Sequence, residues 1–191
     1  DLYSLLHALY RAKVINKKGE WIGGKSQVVQ LGDQLDKGGR GLLSVDNTKD
    51  ELEELFNLYV LGLEELVEDK RIHDNQVKIS VIGRRELLPK RVNDSIENAE
   101  KVTSGYDKYV FTICLAYGSR EEIVEAIREI AKLHASGDLS LEEINEKEVS
   151  NRLYTKGMPD PDLIIRTSGE ERISNFLLWQ SAYSEFIFVD T

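Results

Sequence analysis

The residues whose chemistry is easiest to read lie between positions 166 and 185. Residues 163–165 form a short apolar run, which predicts a buried strand, and Arg166 follows at the end of that strand. Arg172 and Ser174 come after a turn that contains Gly169. Arginine binds phosphate through two parallel hydrogen bonds and keeps its charge. Ligands of open α/β sheets bind where the strands end. We therefore predict an oxyanion site here, and the alternative is a surface loop with solvated charges.

Glu185 precedes a second apolar run, 186–189, which predicts another strand. A carboxylate buried without a partner at that point would be costly, so we expect it to meet a cation or a hydrogen-bond donor. Mg²⁺ binds one or two carboxylates together with water and phosphate oxygens, which makes Glu185 a candidate metal ligand. The alternative is a salt bridge to Arg166 or Arg172.

The whole run from 166 to 185, RTSGEERISNFLLWQSAYSE, resembles the signature of the cis-prenyltransferases, the undecaprenyl and polyprenyl diphosphate synthases. The resemblance implies that Arg166, Arg172 and Ser174 bind the diphosphate of isopentenyl diphosphate. It also implies that Glu185 helps to bind magnesium, the expected cofactor. The second substrate that it implies is an allylic prenyl diphosphate.

The resemblance begins at residue 41 and continues to residue 190. The stretch SVDN resembles the Ser-x-x-Asn motif of that family, which implies that Ser44 and Asn47 are catalytic, with Asn47 orienting the diphosphate or the proton to be lost. An Asn before a helix is also an ordinary cap. YGSR, from Tyr117, resembles the Tyr-Gly-Gly-Arg turn of the family. The resemblance further implies a homodimer, with contacts through the helices before the signature and through residues 176–185.

Residues 1–40 differ in character from residues 41–191, which are expected to form one cis-prenyltransferase-like domain. The stretch GDQLDKGG follows a predicted strand at 28–31 and resembles the G-D-x-x-D-R-G motif of calcineurin-like metallophosphoesterases. In that chemistry two metal ions activate water, and Asp33, with Asp36 nearby, would be the candidate ligand. No Gly-Asn-His motif follows, which favours a simple Gly-Asp turn. None of the histidines lies in a suitable motif: His7, His73 and His134.

One part of the cis-prenyltransferase pattern is missing: residues 1–191 contain no Asp-Gly-Asn motif. In that family the aspartate anchors magnesium beside the allylic diphosphate. Three readings therefore stay open. The chain is an active prenyltransferase, a non-catalytic or chimeric member of the same fold, or a metal-dependent phosphoesterase.

The hydrophobic pattern predicts strands that alternate with helices. Strands are expected over 28–31, 77–82, 109–115, 163–165 and 186–189, and helices over 2–13, 50–70, 87–102, 121–133 and 142–154. On the helix over 121–133, Ile123, Val124, Ile127 and Ile130 define one apolar face. Such alternation implies right-handed crossovers and an α/β fold with a largely parallel central sheet flanked by helices.

Composition excludes several classes of protein. The net charge of −9 argues against a nucleic-acid binder, whose affinity depends on neutralising phosphates. Cys114 is the only cysteine and lies in an apolar stretch, which predicts a buried thiol and no intrachain disulfide. No apolar run approaches the ~18 residues of a membrane span, and no signal peptide is recognisable. A soluble cytoplasmic protein is expected, and a lipid product would allow peripheral contact with a membrane.

Overall fold

The computed structural model describes residues 28–30, 49–167 and 169–189, of which 28–30 and 49–51 are described through their backbone alone. The chain divides into two compact units, one over Val28–Gly157 and one that includes Met158–Thr191. Several predictions lie outside the described residues: the helix over 2–13, the turn with Asp33 and Asp36, the SVDN stretch with Ser44 and Asn47, and the domain boundary at residue 40.

The unit over Val28–Gly157 contains a parallel sheet in the order β1–β3–β2. Its strands are β1 (Val28–Gln30), β2 (Val77–Ile82) and β3 (Tyr109–Cys114). Its helices are α1 (Lys49–Glu68), α2 (Lys70–Asp74), α3 (Lys90–Val102), α4 (Ser119–Ser136) and α5 (Glu146–Ser150), with 3₁₀ turns at Arg85–Leu87 and Leu141–Glu143. Parallel strands joined through helices confirm the predicted α/β class.

The main core of this unit lies where α1 and α3 cover β2. The alternation of β2 turns Ile79 and Val81 towards the helices, and both are buried. Helix α3 presents Val92, Ile96 and Ala99 at helical spacing, and all three are fully buried. The remaining members of the cluster are Phe56, Leu63, Leu88 and Leu115. Phe56 and Leu63 belong to α1, which confirms the helix that the sequence predicts over 50–70.

Strand β2 lies at one edge of the described sheet, and side chains of the α3 region satisfy its outward amides. The N–H of Ile79 donates to Thr103 Oγ1 at 2.9 Å, and the N–H of Val81 donates to Glu100 Oε1 at 2.9 Å. Glu100 also accepts from Arg85 Nη2 at 2.5 Å. These contacts supply acceptors where a neighbouring strand would otherwise be needed.

The described part of the second unit contains two parallel strands, β4 (Leu163–Thr167) and β5 (Glu185–Val189). A 3₁₀ turn at Gln180–Tyr183 lies on the connection between them. Both strands were expected from their apolar runs, and the structure extends β4 through Arg166 to Thr167. The connection therefore begins at the end of β4, which is where the candidate anion-binding residues lie.

The predicted helix over 142–154 is wrong. The segment instead forms the 3₁₀ turn Leu141–Glu143 and the short helix α5. Asn145 separates the two because its backbone is extended (φ −142°), and its side chain caps α5 by accepting from the N–H of Glu148 at 3.1 Å. The sequence pattern does not distinguish this cap from an interior helix position.

The apolar face predicted for the helix over 121–133 differs from the buried face of α4. The buried residues are Ser119, Glu122, Ala126 and Ile130. Val124 is 44% exposed and Ile127 is 55% exposed. The helix is therefore rotated so that a carboxylate, rather than two β-branched side chains, enters the interior.

The prediction for the cysteine is confirmed. Cys114 is a buried free thiol at the end of β3, and burial raises its pKa to about 12. A thiol in this state is a poor nucleophile because the thiolate is the reactive form. Among the described residues, no helix combines the length and the apolar character that a bilayer crossing requires.

Candidate functional site

The loop after β4 folds back onto Arg166. Arg166 Nη1 donates to the backbone oxygen of Arg172 at 2.7 Å and to Ser174 Oγ at 2.8 Å. The three residues predicted to bind a phosphate therefore lie together. Because Arg166 is the second-last residue of β4, the strand fixes its backbone and the loop must adapt to it.

Glu170 joins the two guanidinium groups. Its Oε2 accepts from Arg166 Nη2, and its Oε1 accepts from Arg172 Nη2 at 2.6 Å. The sequence patterns did not single out Glu170, although a carboxylate between two arginines is a visible signal. We call the group of Arg166, Glu170, Arg172 and Ser174 the arginine cluster.

The arginine cluster contains donors that Glu170 does not satisfy. The Arg166 side chain is only 20% exposed, and its Nε is buried without a partner among the described residues. The Arg172 side chain is 57% exposed. Two guanidiniums and one carboxylate leave the cluster with one net positive charge. The arrangement suits a ligand with several negatively charged oxygens, such as a diphosphate.

The backbone around Ser174 adopts a conformation that is uncommon outside glycine. The φ angles of Ser174, Asn175 and Leu177 are 44°, 62° and 45°. Side chains that follow directly on Ser174 anchor this part of the loop, since Phe176 and Leu177 are buried. Strained backbone held by well-packed neighbours is typical of ligand-binding loops.

Glu185 does not lie in the arginine cluster of its own chain. It begins β5 opposite Leu163, whereas Arg166 lies opposite Phe188. Side chains alternate along a strand, so Glu185 and Arg166 point to opposite faces of the strand pair. Glu185 is exposed, so the cost of burying an unpaired carboxylate does not arise there, and its role as a metal ligand stays a prediction. The arginines pair with Glu170 rather than with Glu185.

The part of the chain that the structure describes does not form a multidentate metal centre. In residues 52–167 and 169–189, no three His, Cys, Asp or Glu side chains are grouped so that they could hold a metal ion. Magnesium needs fewer protein ligands when a substrate supplies phosphate oxygens. The exposed carboxylate of Glu185 fits that mode, and it has no side-chain partner among the described residues. Ser44 and Asn47 lie outside the described residues.

A second carboxylate that accepts from two donors, Glu122, lies in the unit over Val28–Gly157. Glu122 is fully buried in the first turn of α4 and accepts from Tyr117 Oη at 2.5 Å and from the N–H of Tyr154 at 2.6 Å. Burial raises the pKa of Tyr117, and the hydrogen bond to Glu122 raises it further. The tyrosine of the YGSR turn is therefore held as a neutral donor.

Comparison with known proteins identifies the family of the chain. The family model described as "Putative undecaprenyl diphosphate synthase" matches residues 42–191. A tritrans,polycis-undecaprenyl-diphosphate synthase (geranylgeranyl-diphosphate specific) from Pyrococcus horikoshii is 52% identical over 143 residues, which are 75% of this chain and 54% of that protein. A protein of the same name from Methanocaldococcus jannaschii is 44% identical over 144 residues, 74% of this chain and 51% of that protein. The chain thus spans about half the length of these relatives.

Solved structures show the same fold. Lavandulyl diphosphate synthase from Lavandula x intermedia, in complex with dimethylallyl diphosphate, matches with a TM-score of 0.69 and 36% identity over 75% of this chain and 62% of that one. A probable undecaprenyl diphosphate synthase from Campylobacter jejuni matches with a TM-score of 0.71 and 24% identity over 100% of this chain and 78% of that one. None of these matches supports the metallophosphoesterase resemblance of residues 1–40.

Proposed function

Since the chain belongs to the undecaprenyl diphosphate synthase family, we propose that it is a cis-prenyltransferase that condenses isopentenyl diphosphate with an allylic prenyl diphosphate. The observation that carries this proposal is the arginine cluster at the end of β4, where Arg166, Arg172 and Ser174 lie together. The names of the relatives point to geranylgeranyl diphosphate as the allylic substrate. The product is then a polyprenyl diphosphate.

The arginine cluster would bind and orient isopentenyl diphosphate. Arg166 and Arg172 supply charge-assisted hydrogen bonds to the diphosphate, and the Ser174 hydroxyl adds a further donor. Fixing the diphosphate sets the position of the carbon atoms that react, which lowers the entropic part of the barrier. Ser44 and Asn47 keep their proposed catalytic role, with Asn47 orienting a diphosphate or the proton to be lost.

The first experiment measures isopentenyl diphosphate binding by calorimetry. Arg172→Ala should weaken binding by roughly 1.5–3 kcal/mol, because a charge-assisted hydrogen bond is lost. The matched control is Arg128→Ala on α4, where an exposed charge should contribute about 0–1 kcal/mol. An affinity for the Arg172→Ala variant equal to that of the parent chain contradicts the proposed site.

Incorporation of radiolabelled isopentenyl diphosphate into a lipid product distinguishes catalysis from binding. The second candidate function is a non-catalytic member of the same fold, which binds isopentenyl diphosphate without condensing it. Binding that depends on Arg172, with incorporation in the presence of Mg²⁺ and geranylgeranyl diphosphate, supports the enzyme. The same binding without incorporation supports the non-catalytic member.

We further propose that Glu185 is a magnesium ligand and that the chain forms a homodimer. Magnesium would supply electrostatic stabilisation of diphosphate charge. Because Glu185 and Arg166 point to opposite faces of the strand pair, Glu185 of one copy is better placed to serve the arginine cluster of another. Exposed aromatic residues follow or precede it in the chain, Tyr183, Phe186 and Phe188, and offer apolar surface for such a contact. By the same alternation, Phe186 and Phe188 lie on the face of Arg166.

This proposal predicts that Glu185→Gln reduces the magnesium dependence of diphosphate binding and leaves the melting temperature nearly unchanged. Glu171→Gln, with the same loss of charge, is the control. Mixing Glu185→Gln with Arg172→Ala chains should restore part of the activity if the two residues act in different copies, since one complete site then forms. Unchanged magnesium dependence together with a lower melting temperature contradicts the ligand role.

Cytoplasmic location with membrane association stays a prediction.

A further inference from the structure

Glu170 occupies the donors that a diphosphate would need. Its two oxygens accept one hydrogen bond each from Arg166 and Arg172. We propose that Glu170 is an internal placeholder: in the free chain it holds the two guanidiniums together, and it gives up these contacts when a diphosphate binds. The inference rests on the proposed function, because it names the residue that competes with the substrate at the same site.

The hydrogen-bond inventory of Arg166 shows that Glu170 is an incomplete partner. A guanidinium has five N–H groups, and Nη1 uses both of its own on Arg172 O and Ser174 Oγ. Nη2 donates to Glu170, while the adjacent Nε is buried with no partner among the described residues. Nε and Nη2 form one edge of the guanidinium, which could engage two oxygens of one anion.

Glu170 cannot satisfy that edge, because its second oxygen binds Arg172. A buried donor without an acceptor carries a free-energy cost, which a better partner would remove. A phosphate group offers more oxygens than a carboxylate and could bind both donors of the edge. The unsatisfied Nε therefore favours exchange of the carboxylate for a phosphate.

The charge and the exposure of Glu170 also favour its exchange for a diphosphate. A diphosphate beside the Glu170 carboxylate would be repelled at close range, so the two anions are poor simultaneous partners of the same guanidiniums. Glu170 is 40% exposed, so water can solvate its carboxylate after release. An ion pair at such a position is weak enough to exchange.

A role for Glu170 in arranging the arginines would change the affinity for diphosphate in the opposite direction. If Glu170 is required to arrange the arginines, its removal should weaken diphosphate binding. If it is a placeholder, removal of its charge should strengthen binding, because the diphosphate no longer has to displace it. The sign of the change in affinity therefore decides between the two roles.

The test is calorimetric titration of inorganic pyrophosphate, without Mg²⁺, into the full chain and into two variants. Glu170→Gln should bind pyrophosphate roughly threefold to tenfold more tightly than the parent chain. The control is Glu171→Gln, which removes the same charge from the neighbouring residue. The smaller gain in affinity of Glu171→Gln comes from weaker long-range repulsion of pyrophosphate, and it should disappear at about 0.5 M salt. The gain in affinity of Glu170→Gln should persist at that salt concentration.

Three results overturn the inference: weaker binding by Glu170→Gln, an affinity equal to that of the parent chain, or gains in the two variants that stay equal at high salt. A parallel Arg172→Ala titration keeps the two proposals apart. If Arg172→Ala loses pyrophosphate binding while Glu170→Gln does not gain it, only the placeholder fails. If Arg172→Ala binds like the parent chain, the proposed site fails as well.

Discussion

Glu122 and Glu170 each accept hydrogen bonds from two donors, but they do so in opposite environments. Glu122 is fully buried and its identified donors are uncharged: Tyr117 Oη and the N–H of Tyr154. Glu170 is 40% exposed, lies between two guanidiniums, and leaves a buried donor of Arg166 unsatisfied. The hydrogen bonds of Glu122 therefore stabilise the fold, whereas the contacts of Glu170 leave a guanidinium donor that a ligand could bind.

The environment of Glu122 explains why a carboxylate can be buried there. It lies in the first turn of α4, where the helix dipole favours negative charge. Burial and the hydrogen bond to Glu122 both raise the pKa of Tyr117, so the phenol keeps its proton and continues to donate. This network ties the YGSR turn to the segment around Tyr154 within one unit.

The largest effect that the comparison predicts is on stability. Glu122→Ala should lower the free energy of unfolding by about 3 kcal/mol, because two part-buried donors lose their acceptor at roughly 1–3 kcal/mol each. Urea denaturation measures this change. Glu97→Ala, an exposed Glu→Ala change on α3, is the control and should change stability by at most about 0.5 kcal/mol.

Glu122→Gln tests the same hydrogen bonds with a side chain that can still form them. The glutamine oxygen can accept from the N–H of Tyr154, and its NH₂ group can donate to Tyr117 Oη, so most of the stability should return. Pyrophosphate affinity, measured well below the melting transition, should match that of the parent chain in both variants. A loss of affinity in a folded Glu122→Gln protein would show that this network also serves ligand binding.

The strands and the arginine cluster could be predicted from the sequence because they depend on local signals. Short apolar runs bounded by polar residues identify β4 and β5, and a resemblance over the run from 166 to 185 identifies Arg166, Arg172 and Ser174. The structure brings these three side chains together as expected. Their binding role stays a prediction.

The features that could not be predicted depend on tertiary arrangement. Periodicity identifies α4 as a helix, but only packing decides that Glu122 is buried while Val124 and Ile127 remain exposed. Strand register decides that Glu185 and Arg166 point to opposite faces. Apolar character alone indicates neither the rotation of a helix nor the register of a strand.

The smallest predicted effect concerns the strained backbone of the arginine cluster. Ser174 has a φ of 44°, which costs a non-glycine residue roughly 1–2 kcal/mol, and its hydroxyl accepts a hydrogen bond from Arg166. Ser174→Gly should relieve the strain, but the greater freedom of glycine in the unfolded chain offsets this gain by about 0.4–1 kcal/mol. Loss of the hydrogen bond from Arg166 removes about a further 0.5–1.5 kcal/mol, so the free energy of unfolding should stay within about 0.5 kcal/mol of the parent value.

Ser174→Ala separates the strain from the hydroxyl, because alanine removes the hydroxyl and keeps the strained Cβ. Both variants should lose the same several-fold of pyrophosphate affinity, about 0.5–1.5 kcal/mol for one hydrogen bond. The glycine variant should be more stable than the alanine variant by up to about 1 kcal/mol, since only glycine adopts this φ without strain. Equal stabilities would mean that the loop is not strained at Ser174. Unchanged affinity in both variants would mean that the hydroxyl only supports Arg166 and takes no part in binding the anion, which would leave the two arginines as the binding groups of the cluster.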